Sequence, residues 1–461
     1  MAPATPLPFF SNKGLNRSFA ALIRLTRKVR MPNISAQKQS WFILLTFSWC
    51  FFVISASTFS SLGVVIPFMV SEMEWTWTTA GLGFTFLAMA CGISGYLPSI
   101  TIKNWGIAKT LFVGLCLLTA GFLTLYATIT PATYFLGCIL VGMGYTFVGA
   151  IPGTYIITHF FVKRSTAFGF YYTMGGLGGV AGPLIVWLAN DALGNWRLHW
   201  IITLTLIATS VALMWLSLAF TDATRLKLPP KDEQKTTQSN VYETRETWTF
   251  RDALRTPQYW AICAAYTSVL LVGTTVNSFS VSHLTQIGVT FAVASAMLSL
   301  EAFCNAMSRV IGGFIAEFFE PKTMLQAALL MLAGGMVALS FGHSLMVQIL
   351  YAVAIGFGFG LTFLSCTVLI LRYFGSGPYL QLFSTLNLFA TVAASAPYIC
   401  GTMRDISGSF VSPFLLVGAM PMVVFVVVTF MRPPRLVNDT ADAVTPATVH
   451  NDTQLTAAKE L

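Results

Sequence analysis

Three polar side chains, Glu301, Asn305 and Arg309, follow one another at intervals of four residues inside an otherwise uncharged, mostly apolar stretch, residues 291–316. In an α-helix this spacing places all three on one face. Arginine stays protonated at every pH that a cell meets, and its planar guanidinium binds a carboxylate through two parallel hydrogen bonds. Asn305 can donate a hydrogen bond to the same carboxylate. The pattern predicts an anion-binding site centred on Arg309.

Glu301 has a different expected role, because it is too far from Arg309 for a direct ion pair. Eight residues at 1.5 Å each separate the two side chains by about 12 Å along the helix axis. Burial favours the protonated form of a carboxyl group, which makes Glu301 a candidate proton carrier. His283 is a second candidate, since histidine titrates near neutral pH. Two alternatives stay open: Glu301 as a structural partner of another helix, and Arg309 as a bridge between helices.

The composition places these residues in a membrane. The chain has 461 residues, of which 55% are hydrophobic and 9% are charged, whereas soluble domains carry about 25% charged residues. Apolar segments of 18 or more residues recur, which is enough for a helix to cross a bilayer. We predict an all-α membrane protein with twelve transmembrane helices in two six-helix bundles. The predicted spans, numbered in chain order, cover residues 41–70, 77–102, 110–129, 132–156, 166–190, 201–220, 259–281, 291–316, 324–341, 345–371, 379–403 and 410–431.

The distribution of basic residues predicts the orientation. If both termini are cytoplasmic, every Lys and Arg except Arg197, Arg309 and Arg404 lies in a cytoplasmic segment, as the positive-inside rule requires. The net charge of +9 is then a topology signal, and no nucleic-acid partner is expected. The predicted segments are a basic N-terminal extension (1–40), the N-terminal bundle (41–220), an inter-bundle loop (221–258), the C-terminal bundle (259–431) and a tail (432–461). The extension could also be a mitochondrial transit peptide, or translation could begin at Met31; we favour a cytoplasmic extension and the cell membrane.

Short runs of sequence carry a family resemblance. Gly313-Phe-Ile-Ala-Glu317 leads into Pro321-Lys322, and a degenerate copy in the first half, Gly95-Tyr-Leu-Pro, leads into Lys109. This pattern resembles the loop motif of the major facilitator superfamily. Within it, the chain resembles the monocarboxylate transporters and oxalate–formate antiporters. The supporting runs are Phe160-Phe-Val-Lys-Arg-Ser-Thr-Ala-Phe-Gly169, Asn195-Trp-Arg197, Ala253-Leu-Arg-Thr-Pro-Gln-Tyr-Trp260 and Ser282-His-Leu-Thr-Gln-Ile-Gly288.

The resemblance implies roles for individual residues. Arg309 stands where these carriers bind the substrate carboxylate, and Gly313, Glu317 and Lys322 would serve conformational gating. Many relatives have Asp at the position of Asn305, and bacterial relatives often have Asp at that of Gln286. Both acids commonly tied to proton coupling are therefore absent, and Glu301 could replace them.

The expected function is secondary active transport of small organic anions, foremost monocarboxylates, by H⁺ symport or anion exchange. One buried positive charge suits a monoanion. Tyr145, Asn277 and Asn387 could line the binding cavity together with Arg309, although each could equally form an interhelical hydrogen bond. No cofactor or metal is expected, and the chain would work as a monomer in the lipid bilayer. The alternatives are an exporter of another metabolite or drug and a non-transporting membrane sensor. An enzyme is not expected, because no nucleophile–base pair or metal-ligand cluster is apparent.

Overall fold

The computed structural model describes residues 36–161, 164–220, 244, 248–315, 319–375 and 377–435. All regular secondary structure in these residues is helical, and twelve helices are long and apolar enough to cross a membrane, which confirms the twelve predicted spans. The spans are Gln39–Met73, Trp77–Ser94, Ile107–Tyr126, Pro131–Ile157, Ala167–Leu193, Leu198–Ala219, Pro257–Gln286, Phe291–Gly313, Pro321–Ser340, Leu345–Phe374, Gln381–Ser407 and Val411–Phe430. Glu317, most of the N-terminal extension and C-terminal tail, and the centre of the inter-bundle loop lie outside the described residues.

Spans 1 and 11 contain irregular turns that the hydropathy pattern did not indicate. Span 1 has a π-helical turn, Ala56–Ser60, and span 11 has a 3₁₀ segment, Thr391–Ser395. Such turns inside transmembrane helices often mark functional positions. Two short helices lie outside the spans: Leu97–Trp105 after span 2 and Phe250–Leu254 before span 7.

Hydroxyl side chains fix where several spans begin. A Ser or Thr oxygen accepts a hydrogen bond from the backbone N–H three residues later, which satisfies a donor that has no partner within the helix. These capping residues are Thr76 of span 2, Thr130 of span 4, Thr256 of span 7 and Ser344 of span 10. Because each cap fixes the first turn, it also sets the depth at which later side chains of that span lie.

The twelve spans form two six-helix bundles, spans 1–6 and spans 7–12. We call the face on which span 1 begins and span 12 ends the terminal face, and the other the opposite face. At the opposite face, Glu72 at the end of span 1 forms an ion pair with Arg197 and accepts a hydrogen bond from Trp196 Nε1 at 2.6 Å. This contact ties span 1 to the loop before span 6 and gives the Asn195-Trp-Arg197 run a structural role.

Glycines allow close packing of span 5 against span 1. A Cβ atom at Gly178 would lie 2.2 Å from the carbonyl oxygen of Phe52, and one at Gly182 would lie 2.5 Å from that of Ala56. Distances this short leave no room for a side chain, so the two backbones touch. Close helix packing therefore explains the glycines at positions 178 and 182 of span 5. It does not explain Gly169 at the start of that span, where a Cβ would meet nothing within 4 Å.

The two bundles meet chiefly along three pairs of spans, 1 with 7, 2 with 11, and 5 with 8. Single ring contacts also join span 2 to span 7 and span 1 to span 8. Ser60 of span 1 donates a hydrogen bond to Asn277 Oδ1 of span 7 at 3.4 Å, and Ser299 of span 8 donates one to the carbonyl of Val180 at 2.9 Å. In the described chain, all hydrogen bonds and ring contacts between the bundles lie on the opposite-face side of Arg309. The bundles are joined there, and within the described residues no such contact joins them at the terminal face.

Candidate anion-binding site

Small residues on both neighbouring helices hold the polar face of span 8 in place. In span 10, a Cβ at Gly356 would lie 2.4 Å from the carbonyl oxygen of Glu301, and one at Gly360 would lie 2.7 Å from that of Asn305. In span 5, a Cβ at Gly179 would lie 2.9 Å from the Cβ of Ala302. Span 8 is therefore packed backbone to backbone at the level of its polar side chains, which fixes their direction.

Arg309 faces the space between the bundles. Its guanidinium carbon lies 5.0 Å from the centre of the Phe363 ring of span 10. The hydroxyl groups within electrostatic range belong to Tyr145, Tyr172 and Tyr266, which stand on spans 4, 5 and 7. Two of these tyrosines are in the N-terminal bundle, across from Arg309. The arginine is partly accessible. We place this surface in the interior because tyrosines of both bundles are in electrostatic range of the guanidinium.

The guanidinium has no acidic partner among the described residues. The ion pair that they form is Arg197 with Glu72, at the opposite face, and Arg309 Nε is buried without a hydrogen-bond acceptor in that part of the chain. A buried charged donor without a partner costs free energy, about 1–3 kcal/mol or more. An anion bound beside Arg309 would remove this cost, so the geometry favours a ligand site over a structural bridge.

Asn305 also offers an unpaired group. Its Oδ1 atom is buried and accepts no hydrogen bond among the described residues. The two ends of a side-chain amide differ only in their hydrogens, so half a turn of the group presents the NH₂ at the same place. Asn305 therefore has the donor that a carboxylate on Arg309 requires, one helical turn away.

Glu301 is separate from this pair. It is only 4% exposed, and it forms no ion pair with Arg309, as the helix geometry predicted. The groups in electrostatic range of its carboxyl include Arg309, the Cys304 thiol and the Tyr351 hydroxyl of span 10. The carboxyl group thus lies buried deeper toward the opposite face than Arg309 but is still electrostatically coupled to it.

The other predicted lining residues divide into two groups. Asn387 is joined to the site, because Tyr266 donates a hydrogen bond to its Oδ1 at 3.1 Å, and Tyr145 lies within electrostatic range of Arg309. Asn277 instead lies at the contact between spans 1 and 7, where its amide donates to the carbonyl of Gly273 at 2.8 Å. His283 is buried against the rings of Phe410 and Phe414, which stack on each other. The structure does not bring Asn277 or His283 to Arg309.

The predicted gating residues have separate surroundings. Lys322 Nζ donates hydrogen bonds to the carbonyls of Thr429 at 3.0 Å and Met431 at 2.7 Å. It therefore binds the carbonyl end of span 12, where a cation is favoured by the helix dipole. A Cβ at Gly313 would meet nothing within 4 Å. Glu317 lies outside the described residues, so the gating role of the three remains a prediction.

Several residues of the site were not identified from the sequence. Tyr266, Phe363 and Tyr379 come from spans 7, 10 and 11, and single aromatic residues in apolar helices have no distinctive spacing.

Asp405 at the end of span 11 was also missed. Its carboxylate accepts hydrogen bonds from the backbone N–H groups of Trp77 at 3.1 Å and Thr78 at 2.8 Å, so it caps the first turn of span 2 from the other bundle.

This cap leads to a prediction for Asp405→Ala. Thr76 still caps span 2 from its own side, so the helix should persist while the contact between the bundles weakens. Loss of an N-terminal cap costs about 1 kcal/mol, and we expect a lower midpoint of thermal unfolding for the purified variant. Asp191→Ala, an exposed acid at the same face, is the control and should unfold with the wild type. An unchanged midpoint for Asp405→Ala would show that the contact does not hold the bundles together.

Comparisons with known proteins agree with this architecture. The family model described as Major Facilitator Superfamily matches residues 4–183 and 49–397. The crystal structure of a mutant of the nucleoside transporter NupG superposes with a TM-score of 0.61 at 15% identity, covering 84% of this chain and 99% of that chain. No curated protein matches the sequence. A family match over most of the chain and a shared fold lead to one conclusion: the chain belongs to the Major Facilitator Superfamily.

Proposed function

We propose that the protein is a secondary active transporter of small organic anions, foremost monocarboxylates, which it moves with H⁺ or in exchange for another anion. Membership in the superfamily makes the chain a membrane transporter and not an enzyme. The observation that carries the anion proposal is the guanidinium of Arg309, which lies between the bundles with its Nε buried and has no acidic partner in the described residues. A hydrophobic cation would be repelled by this charge, which argues against a drug exporter of that kind.

The arrangement of the bundles supports an alternating-access cycle. The terminal face carries nearly all Lys and Arg outside the spans, so we assign it to the cytoplasm, with the protein in the cell membrane. The bundles are joined at the opposite face, and the conformation is then open to the cytoplasm. A carboxylate bound by Arg309 would be within reach of Tyr145 and Tyr172 of the other bundle, and its negative charge favours approach of these hydroxyl donors.

Uptake into proteoliposomes tests the proposal. Purified protein should take up labelled L-lactate when an inward H⁺ gradient is applied, or when the vesicles are preloaded with unlabelled lactate. Protein-free vesicles set the background rate. Uptake of uridine or of a hydrophobic cation in the same vesicles, with no uptake of any organic anion, would reject an anion transporter. The two driving conditions also separate symport from exchange, because only symport responds to the H⁺ gradient.

Glu301→Gln tests the proton role. Glutamine has the shape of a protonated carboxyl group but cannot release a proton, so we expect uptake driven by the H⁺ gradient to fall to the background rate. Exchange of lactate between the two sides should continue, since Arg309 still binds the anion. Glu320→Gln, an exposed acid at the start of span 9, is the matched control and should keep both activities. If Glu301→Gln responds fully to the gradient, another group carries the proton.

A further inference from the structure

Aromatic rings form a continuous wall beside Arg309 in the C-terminal bundle. Phe363 lies under the guanidinium, and its ring centre is 5.5 Å from that of Tyr266. Tyr266 is 6.2 Å from Phe383, which stacks on Tyr379 at 5.9 Å. We call these four residues the C-wall. They come from spans 7, 10 and 11, so no single helix produces this surface.

A second set of rings faces it from the N-terminal bundle. Phe51 of span 1 lies 6.2 Å from Tyr145 and 6.2 Å from Tyr172, and Tyr145 lies 5.5 Å from Phe59. We call these four residues the N-wall. Tyr145 and Tyr172 are in electrostatic range of Arg309, and Tyr172 is in range of Tyr379 of the C-wall. No ring pair joins the two walls in the described chain.

Both walls keep accessible surface. Phe363, Tyr379, Tyr145 and Tyr172 are all partly exposed, although each contacts other rings of its own wall. Phe363 lies under Arg309, and the three tyrosines are in electrostatic range of Arg309 or of the other wall. We therefore place this surface inside the molecule and not on the lipid side. Exposed ring faces on two sides of a fixed cation are complementary to a flat apolar group that carries one negative charge.

Resting on the proposed function, we propose that the preferred substrates are planar aromatic monocarboxylates. The carboxylate binds Arg309, and the aromatic ring lies between the C-wall and the N-wall. Lactate and acetate would use the guanidinium but leave both walls without contact. A dicarboxylate would bring a second negative charge among the aromatic rings. In the described chain, Arg309 is the one Lys or Arg that lies away from the ends of the spans, so the second carboxylate would have no cation to bind.

Substitutions in the walls remove ring contacts with the substrate and leave the charge of Arg309 in place. Removing Phe363 takes away the face under the guanidinium, and Tyr172 contributes a face of the N-wall. An aromatic contact contributes about 0.5–1.5 kcal/mol beyond the area it buries, which corresponds to about a tenfold change in affinity at the upper end. The preference for an aromatic acid over an aliphatic acid should therefore fall about tenfold in Phe363→Leu and in Tyr172→Leu.

Binding to the purified full-length protein tests this. Dissociation constants for benzoate, phenylacetate, L-lactate and uridine would be measured by calorimetry, and the same compounds tested as competitors of lactate uptake. We expect benzoate or phenylacetate to bind at least about tenfold more tightly than lactate. The ratio should be unchanged in Phe303→Leu, a lipid-facing phenylalanine of span 8 that is 45% exposed, and reduced in the two wall variants. Two wall variants are used so that a folding defect in one does not decide the result.

The outcomes separate the two proposals. If lactate binds and is transported while the aromatic acids bind no more tightly, the substrate class is wrong and carboxylate transport stands. If the aromatic preference persists in both folded wall variants, the rings do not determine it and the assignment fails. If uridine binds and no acid does, the anion proposal itself is wrong, and the substrate class is rejected with it.

Discussion

Arg309→Lys is expected to lower carboxylate uptake by about a hundredfold. Lysine keeps the charge but not the planar fork that binds both carboxylate oxygens. Its ammonium group also prefers water to the ring of Phe363, against which the guanidinium lies at 5.0 Å. Initial rates of lactate or benzoate uptake in proteoliposomes would measure the effect. Arg432→Lys, an exposed arginine at the terminal face, is the matched control and should transport as the wild type does.

A second variant at the same position separates binding from structure. An arginine that bridged helices would leave its partner unpaired when removed, which is strongly destabilising. Arg309 has no acidic partner in the described chain, so Arg309→Leu should unfold at the wild-type temperature or above it when no substrate is present. Normal transport by Arg309→Lys, or a large loss of stability in Arg309→Leu, would contradict the role assigned to this residue.

Gly81→Val is expected to reduce uptake by at least about tenfold, because it prevents the bundles from meeting at the opposite face. A Cβ at Gly81 would lie 2.2 Å from the carbonyl oxygen of Pro397 in span 11. That oxygen is part of the backbone, so spans 2 and 11 must separate to make room. Buried apolar residues pack throughout both bundles, and we expect the variant to fold.

The matched control for Gly81→Val is Gly334→Val in span 9, where a Cβ would meet nothing within 4 Å. Both variants add the same β-branched residue to an apolar helix, so effects of helix propensity cancel. Uptake rates and thermal unfolding would be compared for the two. Wild-type uptake by a folded Gly81→Val protein would show that this contact is not needed in the transport cycle.

The spans and the polar face of span 8 were predictable because both signals are local in sequence. Hydropathy over some twenty residues identifies a membrane helix whatever its neighbours, and the four-residue spacing of Glu301, Asn305 and Arg309 needs only the helical repeat. The absence of an ion pair between Glu301 and Arg309 followed from the same repeat, and the structure confirms it.

The remainder of the site depends on how helices pack, which one sequence does not specify. Asn277 and Tyr266 both stand on span 7, yet Tyr266 packs against Phe363 in electrostatic range of Arg309, whereas Asn277 lies at the contact with span 1. Hydropathy cannot separate the two positions, because the span is apolar on most of its circumference. The cap that Asp405 provides to span 2 joins residues 327 positions apart, and no local pattern marks such a pair.

The 3₁₀ segment Thr391–Ser395 divides span 11 into two parts with different neighbours. The part before it carries Asn387, which accepts the hydrogen bond of Tyr266 beside the anion site. The part after it carries Asp405, which binds the first turn of span 2. Because 3₁₀ hydrogen bonds have poorer geometry than those of an α-helix, the span can bend at this five-residue segment. Bending of span 11 at this segment would couple occupancy of the anion site to the contact between Asp405 and span 2. The remaining spans would keep their packing within each bundle.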